Sequence, residues 1–265
     1  MVRLMRRIVL TSAMALCAPL PLAAQAIDGL QSVELLKGWR QDDGSHIAAI
    51  DIKLDKNWKT YWRVASAGGI PPLFDWTGSD NIGSVDFHWP VPSIIEEYGY
   101  TTVGYKDRLV LPFTITPTNP EAQISVDVSV QFGVCDDVCI PVEQSLQALL
   151  PMRLGFDQEV INATLSRQVE DASAGGVKAV CDLAKAEDGM AIGVEVEGEM
   201  NFAAADLVFI EYSGDGWMAQ RETHVAGEKL HSSALYYTEA VDDFLSSNLL
   251  LTVLTGGRAF EISGC

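Results

Sequence analysis

Alternation of apolar and polar positions recurs through the chain and predicts strands more often than helices. Residues 124–132 (ISVDVSVQF) alternate strictly and place one isoleucine and three valines on the same face, which is typical of a half-buried strand. Residues 46–54 and 108–116 are apolar runs of strand length, and residues 145–154 resemble a closing strand. Short strands separated by Gly, Pro, Asn and Asp predict an antiparallel β-sandwich over residues 27–153.

The pattern changes after this first segment. Between residues 154 and 175, Phe156, Val160, Leu165 and Val169 recur at roughly helical intervals among polar residues, which predicts a short helical linker. Strand-like patterns return from residue 176 to residue 265 and predict a second small, sandwich-like β-domain. The expected fold class is therefore all-β.

Residues 1–26 have the composition of a signal peptide. Arg3, Arg6 and Arg7 form a basic start, residues 8–18 are apolar, and Ala24-Gln25-Ala26 provides a small-x-small cleavage site. We expect cleavage after Ala26 and export to the periplasm. No later stretch reaches the ~18 consecutive apolar residues of a membrane helix, so no transmembrane segment is predicted in the mature chain.

The charge of the chain narrows the classes of partner. Asp and Glu number 36 against 18 Lys and Arg, a net charge of −18, which becomes −21 when the three arginines of the signal peptide leave. This acidity argues against binding to nucleic acid or to an anionic membrane, because both require a basic face.

Four cysteines remain after cleavage, and an even number in an oxidising compartment indicates disulfides. Three connectivities are possible. The simplest joins Cys135 to Cys139 and Cys181 to Cys265, since each pair then lies within one segment of the chain. A Cys181–Cys265 bridge closes a long loop and is predicted to be structural, contributing up to about 4–5 kcal/mol in the chain-entropy model.

The close pair Cys135 and Cys139 requires a turn, because a straight strand would place their Cα atoms ~13 Å apart. So small a loop gains little from chain entropy, which favours a redox role over a static staple. A metal site is a weaker alternative, because no histidine lies nearby in sequence. Asp136 and Asp137 disfavour a thiolate beside them, so we expect a pair that reacts only when a specific partner docks.

Three blocks of sequence, in order, resemble the N-terminal periplasmic domain of the DsbD and ScsB transmembrane thiol reductases. The first block is residues 57–63 (NWKTYWR) with residues 67–72 (AGGIPP). The second is residues 96–100 (EEYGY), which lead into residues 105–112 (YKDRLVLP). The third is residues 133–143 (GVCDDVCIPVE).

The resemblance implies an immunoglobulin-like sandwich whose cysteine pair cycles between dithiol and disulfide, without a cofactor. It implies an oxidoreductase of the protein-disulfide reductase type. Its partners would be periplasmic thioredoxin-like or disulfide-isomerase-like proteins. This sequence contains no multi-helix membrane domain and no Cys-x-x-Cys, so we expect either that a separate membrane thiol reductase supplies the electrons or that the fold is kept for another use.

The resemblance also implies roles for single residues. One cysteine of the pair forms the mixed disulfide with the partner, and we assign this role to Cys139, with Cys135 as the resolving cysteine. The other implied site residues are a shielding cap loop of Glu96, Glu97 and Tyr98, and site-lining aromatic residues at Trp58, Tyr61 and Trp62.

Two alternatives of a different class remain open from the sequence. One is a non-enzymatic partner-binding module in which both disulfides are structural. The other is a protein that handles copper or another soft metal, because thiolates suit Cu(I). The sequence has no Met-rich or His-rich tract, and we predict no metal ligands.

Overall fold

The computed structural model describes residues 27–64, 69–97, 99–199 and 201–265. The predicted signal peptide and Tyr98 lie outside the described residues. The strands of the first half are β1 (Leu30–Arg40), β2 (His46–Leu54), β3 (Lys59–Tyr61), β4 (Leu73–Asp75), β5 (Ser84–Phe87), β6 (Ser93–Glu97), β7 (Tyr100–Lys106), β8 (Arg108–Thr116), β9 (Ser125–Cys135) and β10 (Cys139–Leu149).

These strands form a sandwich of two sheets. One sheet has the order β1-β2-β8-β5, and the other has the order β10-β9-β3-β7-β6, with β4 paired to β9 beside β3. The alternation in β9 buries Val126, Val128 and Val130 in the core between the sheets. Burial of this apolar surface is the main term that stabilises the sandwich.

The predicted strands at residues 46–54 and 108–116 are confirmed as β2 and β8. The predicted closing strand at residues 145–154 begins and ends earlier, as β10, because it pairs in register with β9 from Cys139 onward. Pro141 lies within β10 without disrupting the sheet, since β10 is an edge strand among the described strands of its sheet.

The segment between the two halves contains α1 (Gln158–Leu165), β11 (Glu170–Asp171) and α2 (Ala172–Gly175). Helix α1 packs on the outer side of the first sandwich, where Ile161 is buried against Ala49 and Val110. Strand β11 pairs in parallel with the last strand of the chain. This segment is therefore attached to both halves.

The second half is a further sandwich. Its sheets have the orders β11-β18-β17-β14 and β12-β13-β16-β15, and its core includes Ile192, Ile210, Leu251 and Phe260. The elements are β12 (Lys178–Ala186), β13 (Gly189–Glu197), β14 (Leu207–Tyr212), β15 (Trp217–Ala226), β16 (Lys229–Tyr237), two 3₁₀ turns (Val241–Asp243 and Ser246–Asn248), β17 (Leu249–Thr255) and β18 (Arg258–Ser263).

The all-β fold class is confirmed, with antiparallel pairing throughout the described sheets except between β11 and β18. The two sandwiches are in contact, because Phe209, Leu254 and Ala259 of the second join the apolar core cluster of the first. Within the described ranges, none of the helices is long and apolar enough to cross a membrane.

Candidate functional site

The two close cysteines face each other across a tight hairpin. Cys135 ends β9 and Cys139 begins β10, and the two are direct partners in the antiparallel register. Their Cα atoms are 4.1 Å apart, and a disulfide joins them. Between them, the Asp136 N–H donates to the Val138 carbonyl at 3.3 Å. The chain therefore turns between the cysteines, as their spacing requires.

The two sulfur-bearing residues differ in exposure. Cys135 is fully buried, whereas Cys139 is partly exposed at the edge of the sheet. Thiol-disulfide exchange begins with attack of a thiolate on one accessible sulfur. An incoming thiolate therefore reaches Cys139 more readily than Cys135.

Strand β3 places two polar side chains beside the cysteine hairpin. Successive residues of a strand point to opposite faces, so Trp62 enters the sandwich core while Lys59 and Tyr61 lie on the face that carries Cys135. Tyr61 Oη lies 3.4 Å from Cys139 Sγ. Burial raises the pKa of Tyr61, which keeps its hydroxyl protonated and able to donate to the sulfur near neutral pH.

The segment that contains Gly69 and Ile70 packs beside the cysteine hairpin. The Gly133 N–H donates to the Ile70 carbonyl at 3.2 Å. A Cβ added at Gly133 would lie 2.9 Å from Ile70 Cβ and 3.4 Å from Cys135 Sγ. The missing side chain at Gly133 thus lets Ile70 approach the disulfide. Next to Ile70, Gly69 packs against the ring of Tyr61.

An ion pair ties the β6–β7 hairpin to the cysteine turn. Lys59 Nζ donates to Glu97 Oε2 at 2.6 Å and to the Asp136 carbonyl at 3.0 Å. Lys106 Nζ donates to the other carboxylate oxygen of Glu97 at 2.8 Å. Hydrogen bonds from Lys106 and Lys59 hold the pKa of Glu97 below its usual range. Glu97 is therefore charged at neutral pH and links the hairpin, through Lys59, to the turn.

The structure separates the other residues that the sequence grouped. Glu96 is exposed at the end of β6. Trp58 is half-buried and packs against Gly29. Trp62 is fully buried and meets Phe209 of the second sandwich edge-on, with ring centroids 5.5 Å apart. Of the three aromatic residues, Tyr61 is the one that the described contacts bring to the disulfide.

Lys59, Ile70 and Gly133 also lie at this site, although the sequence did not predict them as site residues. Lys59 and Tyr61 are two positions apart in a strand, so a predicted strand over the residues 57–63 block would have placed both on one face. No local pattern indicates that Ile70 packs against Gly133, because that contact depends on which segments become neighbours.

The other cysteine pair is also joined by a disulfide. Cys181 lies on β12 and Cys265 ends the chain, and their Cα atoms are 5.5 Å apart. The bridge links residues separated by 84 positions. It ties the end of the chain to strand β12 of the second sandwich.

Comparisons with known proteins agree with this geometry. Residues 32–151 match the family model described as the N-terminal part of the thiol:disulfide interchange protein DsbD. The fold is similar to the crystal structure of the N-terminal periplasmic domain of ScsB from Proteus mirabilis, with a TM-score of 0.63 and 18% sequence identity. That likeness covers 85% of this chain and 89% of the ScsB chain. Among curated protein sequences, none matches significantly.

The matched segment contains the disulfide hairpin, strand β3 and the β6–β7 hairpin that together form the site. Over residues 32–151, the chain is therefore similar to the N-terminal domain of the thiol:disulfide interchange protein DsbD.

Proposed function

We propose that this protein exchanges electrons with periplasmic partner proteins through the Cys135–Cys139 disulfide. The observation that carries the proposal is the asymmetry of the pair, since Cys139 is a partly exposed residue at the sheet edge and Cys135 is fully buried. A structural disulfide in a hairpin does not require one cysteine to be exposed, whereas exchange requires one sulfur that a thiolate can attack.

The chemistry follows from the positions of the two sulfurs. A partner thiolate attacks Cys139 Sγ, the Cys135–Cys139 bond breaks, and its electron pair leaves on Cys135 Sγ as a thiolate. The thiolate of the partner's second cysteine then attacks the sulfur of the partner's first cysteine in the mixed disulfide, and Cys139 leaves as a thiolate. The partner is oxidised to a disulfide, the pair is reduced to a dithiol, and the reverse sequence passes the electrons on. The relative reduction potentials set the direction.

The surface beside the pair fits a protein partner. Val138, in the turn between the two cysteines, is 73% exposed. Exposed apolar side chains next to a reactive sulfur favour contact with another protein. The proposed partners are periplasmic thioredoxin-like or disulfide-isomerase-like proteins, with a separate membrane thiol reductase as electron donor. The proposed location is the periplasm, where the similar ScsB domain occurs.

A redox titration tests the proposal. The protein is equilibrated in graded thiol/disulfide buffers and alkylated, and the modified cysteines are counted by mass spectrometry. We expect Cys135 and Cys139 to open at a moderate potential, while Cys181 and Cys265 stay closed until below about −300 mV, as structural bridges do. Resistance of both pairs to the same low potential would contradict the exchange function.

A trapping experiment tests the assigned order of attack. The Cys135→Ser variant keeps the exposed sulfur but cannot resolve a mixed disulfide, so we expect it to accumulate covalent complexes with a thioredoxin-like protein. The matched Cys139→Ser variant keeps only the buried sulfur and should accumulate far fewer. Equal trapping by both variants would show that burial does not determine which cysteine is attacked.

A further inference from the structure

Attack on Cys139 creates a charge in a buried place. The leaving group of the first step is the thiolate of Cys135, a residue with no exposed surface. Burial disfavours a thiolate, so a buried one needs a cation or hydrogen-bond donors nearby. The turn itself carries Asp136 and Asp137, whose negative charges make the thiolate still less favourable.

The side chain of Lys59 provides a cation on the strand next to Cys135. Lys59 is the direct partner of Cys135 in the β3–β9 pairing, so both side chains lie on the same face of the sheet. The Lys59 side chain is only 7% exposed. Its hydrogen bond to the Asp136 carbonyl holds Nζ beside the residue that follows Cys135.

Besides Asp136 and Asp137, the described contacts bring Glu97, Lys106 and Tyr61 to this place. Glu97 arrives from β6 and pairs with Lys59, while Lys106 on β7 is the partner of Lys59 on its other side and also binds Glu97. Tyr61 contacts Cys139 and, with its pKa raised by burial, stays neutral. In the disulfide form, Glu97 is thus the counter-ion of Lys59.

We propose that Lys59 is the cation that stabilises the Cys135 thiolate released when a partner attacks Cys139. The inference rests on the proposed function and adds a residue to it. The disulfide bond breaks, its electron pair goes to Cys135 Sγ, and the Lys59 ammonium is shared between this thiolate and Glu97 without transfer of a proton. Glu97 competes with the thiolate for the same cation, so it restrains the reactivity of the pair.

The Cys139→Ser variant allows a direct test, because it leaves Cys135 as a free thiol, as in the mixed disulfide. Thiolate formation is followed against pH by ultraviolet absorbance, with the Cys135→Ser/Cys139→Ser double variant subtracted. Adding Lys59→Met should move the midpoint of thiolate formation upward by about one pH unit, an approximately tenfold loss of thiolate at neutral pH. Adding Lys59→Arg should keep the midpoint close to that of the parent variant.

A second substitution separates an electrostatic role from a structural one. Glu97→Gln removes the competitor and leaves Lys59 in place, so it should move the midpoint downward. Damage to the fold would move the midpoint in the same direction for Lys59→Met and Glu97→Gln. An unchanged midpoint in Lys59→Met, or an upward shift in Glu97→Gln, overturns the proposal. If Lys59→Met does not fold, the midpoints of thiolate formation in Lys59→Arg and Glu97→Gln still test the proposal.

Lys106→Met is the matched control. It removes a second lysine that binds the same carboxylate but has no described bond to the cysteine turn, so its shift should be less than half that of Lys59→Met. An equal shift would mean that Lys59 has no special role. The titration uses single-thiol variants, so it reports on Lys59 independently of the exchange function. Failure of that function would appear instead as a wild-type Cys135–Cys139 pair that resists graded buffers.

Discussion

At the scale of single residues, Gly133 determines how closely Ile70 approaches the cysteine hairpin. In Gly133→Ala, the new Cβ would meet Ile70 Cβ at 2.9 Å and press toward Cys135 Sγ. We expect a loss of about 1–3 kcal/mol in the free energy of unfolding, the usual cost of overpacking. Displacement of Ile70 should also speed the reduction of Cys135–Cys139 by dithiothreitol. Urea unfolding and the rate of reduction measure the two effects.

Gly193→Ala is the control for this prediction. Gly193 also lies within a strand, but a Cβ there would meet its nearest neighbour, Asp182 Cβ, at an ordinary 3.6 Å. Alanine in a strand is otherwise favoured over glycine, so this variant should be as stable as the wild type or more so. Equal stability of the two variants would show that space above Gly133 is not limiting.

The sequence predicts the role of a residue where that role depends only on its neighbours in the chain. The spacing of Cys135 and Cys139 required a turn, and the structure has one. The position of Lys59 opposite Cys135 was not predictable in the same way, because it depends on the register between β3 and β9. Trp62 and Tyr61 are neighbours in sequence, yet they serve different parts of the molecule because a strand sends them to opposite faces.

At the scale of secondary structure elements, long strands could be predicted and short ones could not. Strands β2 and β8 have a continuous apolar pattern and match the predicted bounds. Strands β3 and β4 have three residues each, too few to show a period, and they form by pairing with longer strands: β3 pairs with β7 and, at Lys59, with β9, while β4 pairs with β9. Strand β3 carries Lys59 and Tyr61 of the site, so the geometry of the site depends on tertiary pairing.

The β6–β7 hairpin should lose its attachment to the site in acid. Its residue Glu97 has a lowered pKa in the folded protein because of hydrogen bonds from Lys106 and Lys59. The ion pairs therefore stabilise the fold fully above the ordinary pKa of a glutamate, about 4.3, and this contribution is lost as the pH falls through the lower folded pKa. Glu97→Gln should reduce the free energy of unfolding by about 1 kcal/mol at neutral pH.

The difference between wild type and Glu97→Gln is the quantity to measure. Urea unfolding at a series of pH values should show this difference shrinking toward zero as the pH falls below about 4. Glu96→Gln, which changes the exposed neighbouring residue on the same strand, should show no such trend. A difference between wild type and Glu97→Gln that is constant with pH would contradict the role given to the ion pairs.

At the scale of the whole molecule, the two sandwiches are joined next to the site. Trp62 and Arg63 directly follow Tyr61, and both contact the second sandwich. Trp62 meets Phe209 edge-on, and Arg63 pairs with Glu211 and Glu261. The sequence predicted two β-rich segments but gave no indication of this contact, because complementary side chains on separate strands leave no periodic pattern.

Arg63 is the residue on which this junction depends most. Its side chain is 19% exposed, its guanidinium lies over the Trp62 ring at 4.4 Å, and it donates to Thr252 Oγ1 at 3.1 Å. In Arg63→Met, the partly buried carboxylates of Glu211 and Glu261 would face each other without a cation. Loss of one member of a buried ion pair is costly, and we expect a decrease of about 2 kcal/mol in the free energy of unfolding, measured with urea.

The exposed pair Lys185–Asp242 provides the matched control, since Lys185→Met removes a cation whose side chain is 67% exposed. Such surface pairs contribute little, so the free energy of unfolding of this variant should lie within about 1 kcal/mol of that of the wild type.

Arg63 lies two residues after Tyr61, so loosening the junction in Arg63→Met should also change the rate at which dithiothreitol reduces Cys135–Cys139. Lys185→Met should leave that rate unchanged. A destabilised Arg63→Met variant with an unaltered rate would mean that the second sandwich stabilises the first without influencing its disulfide.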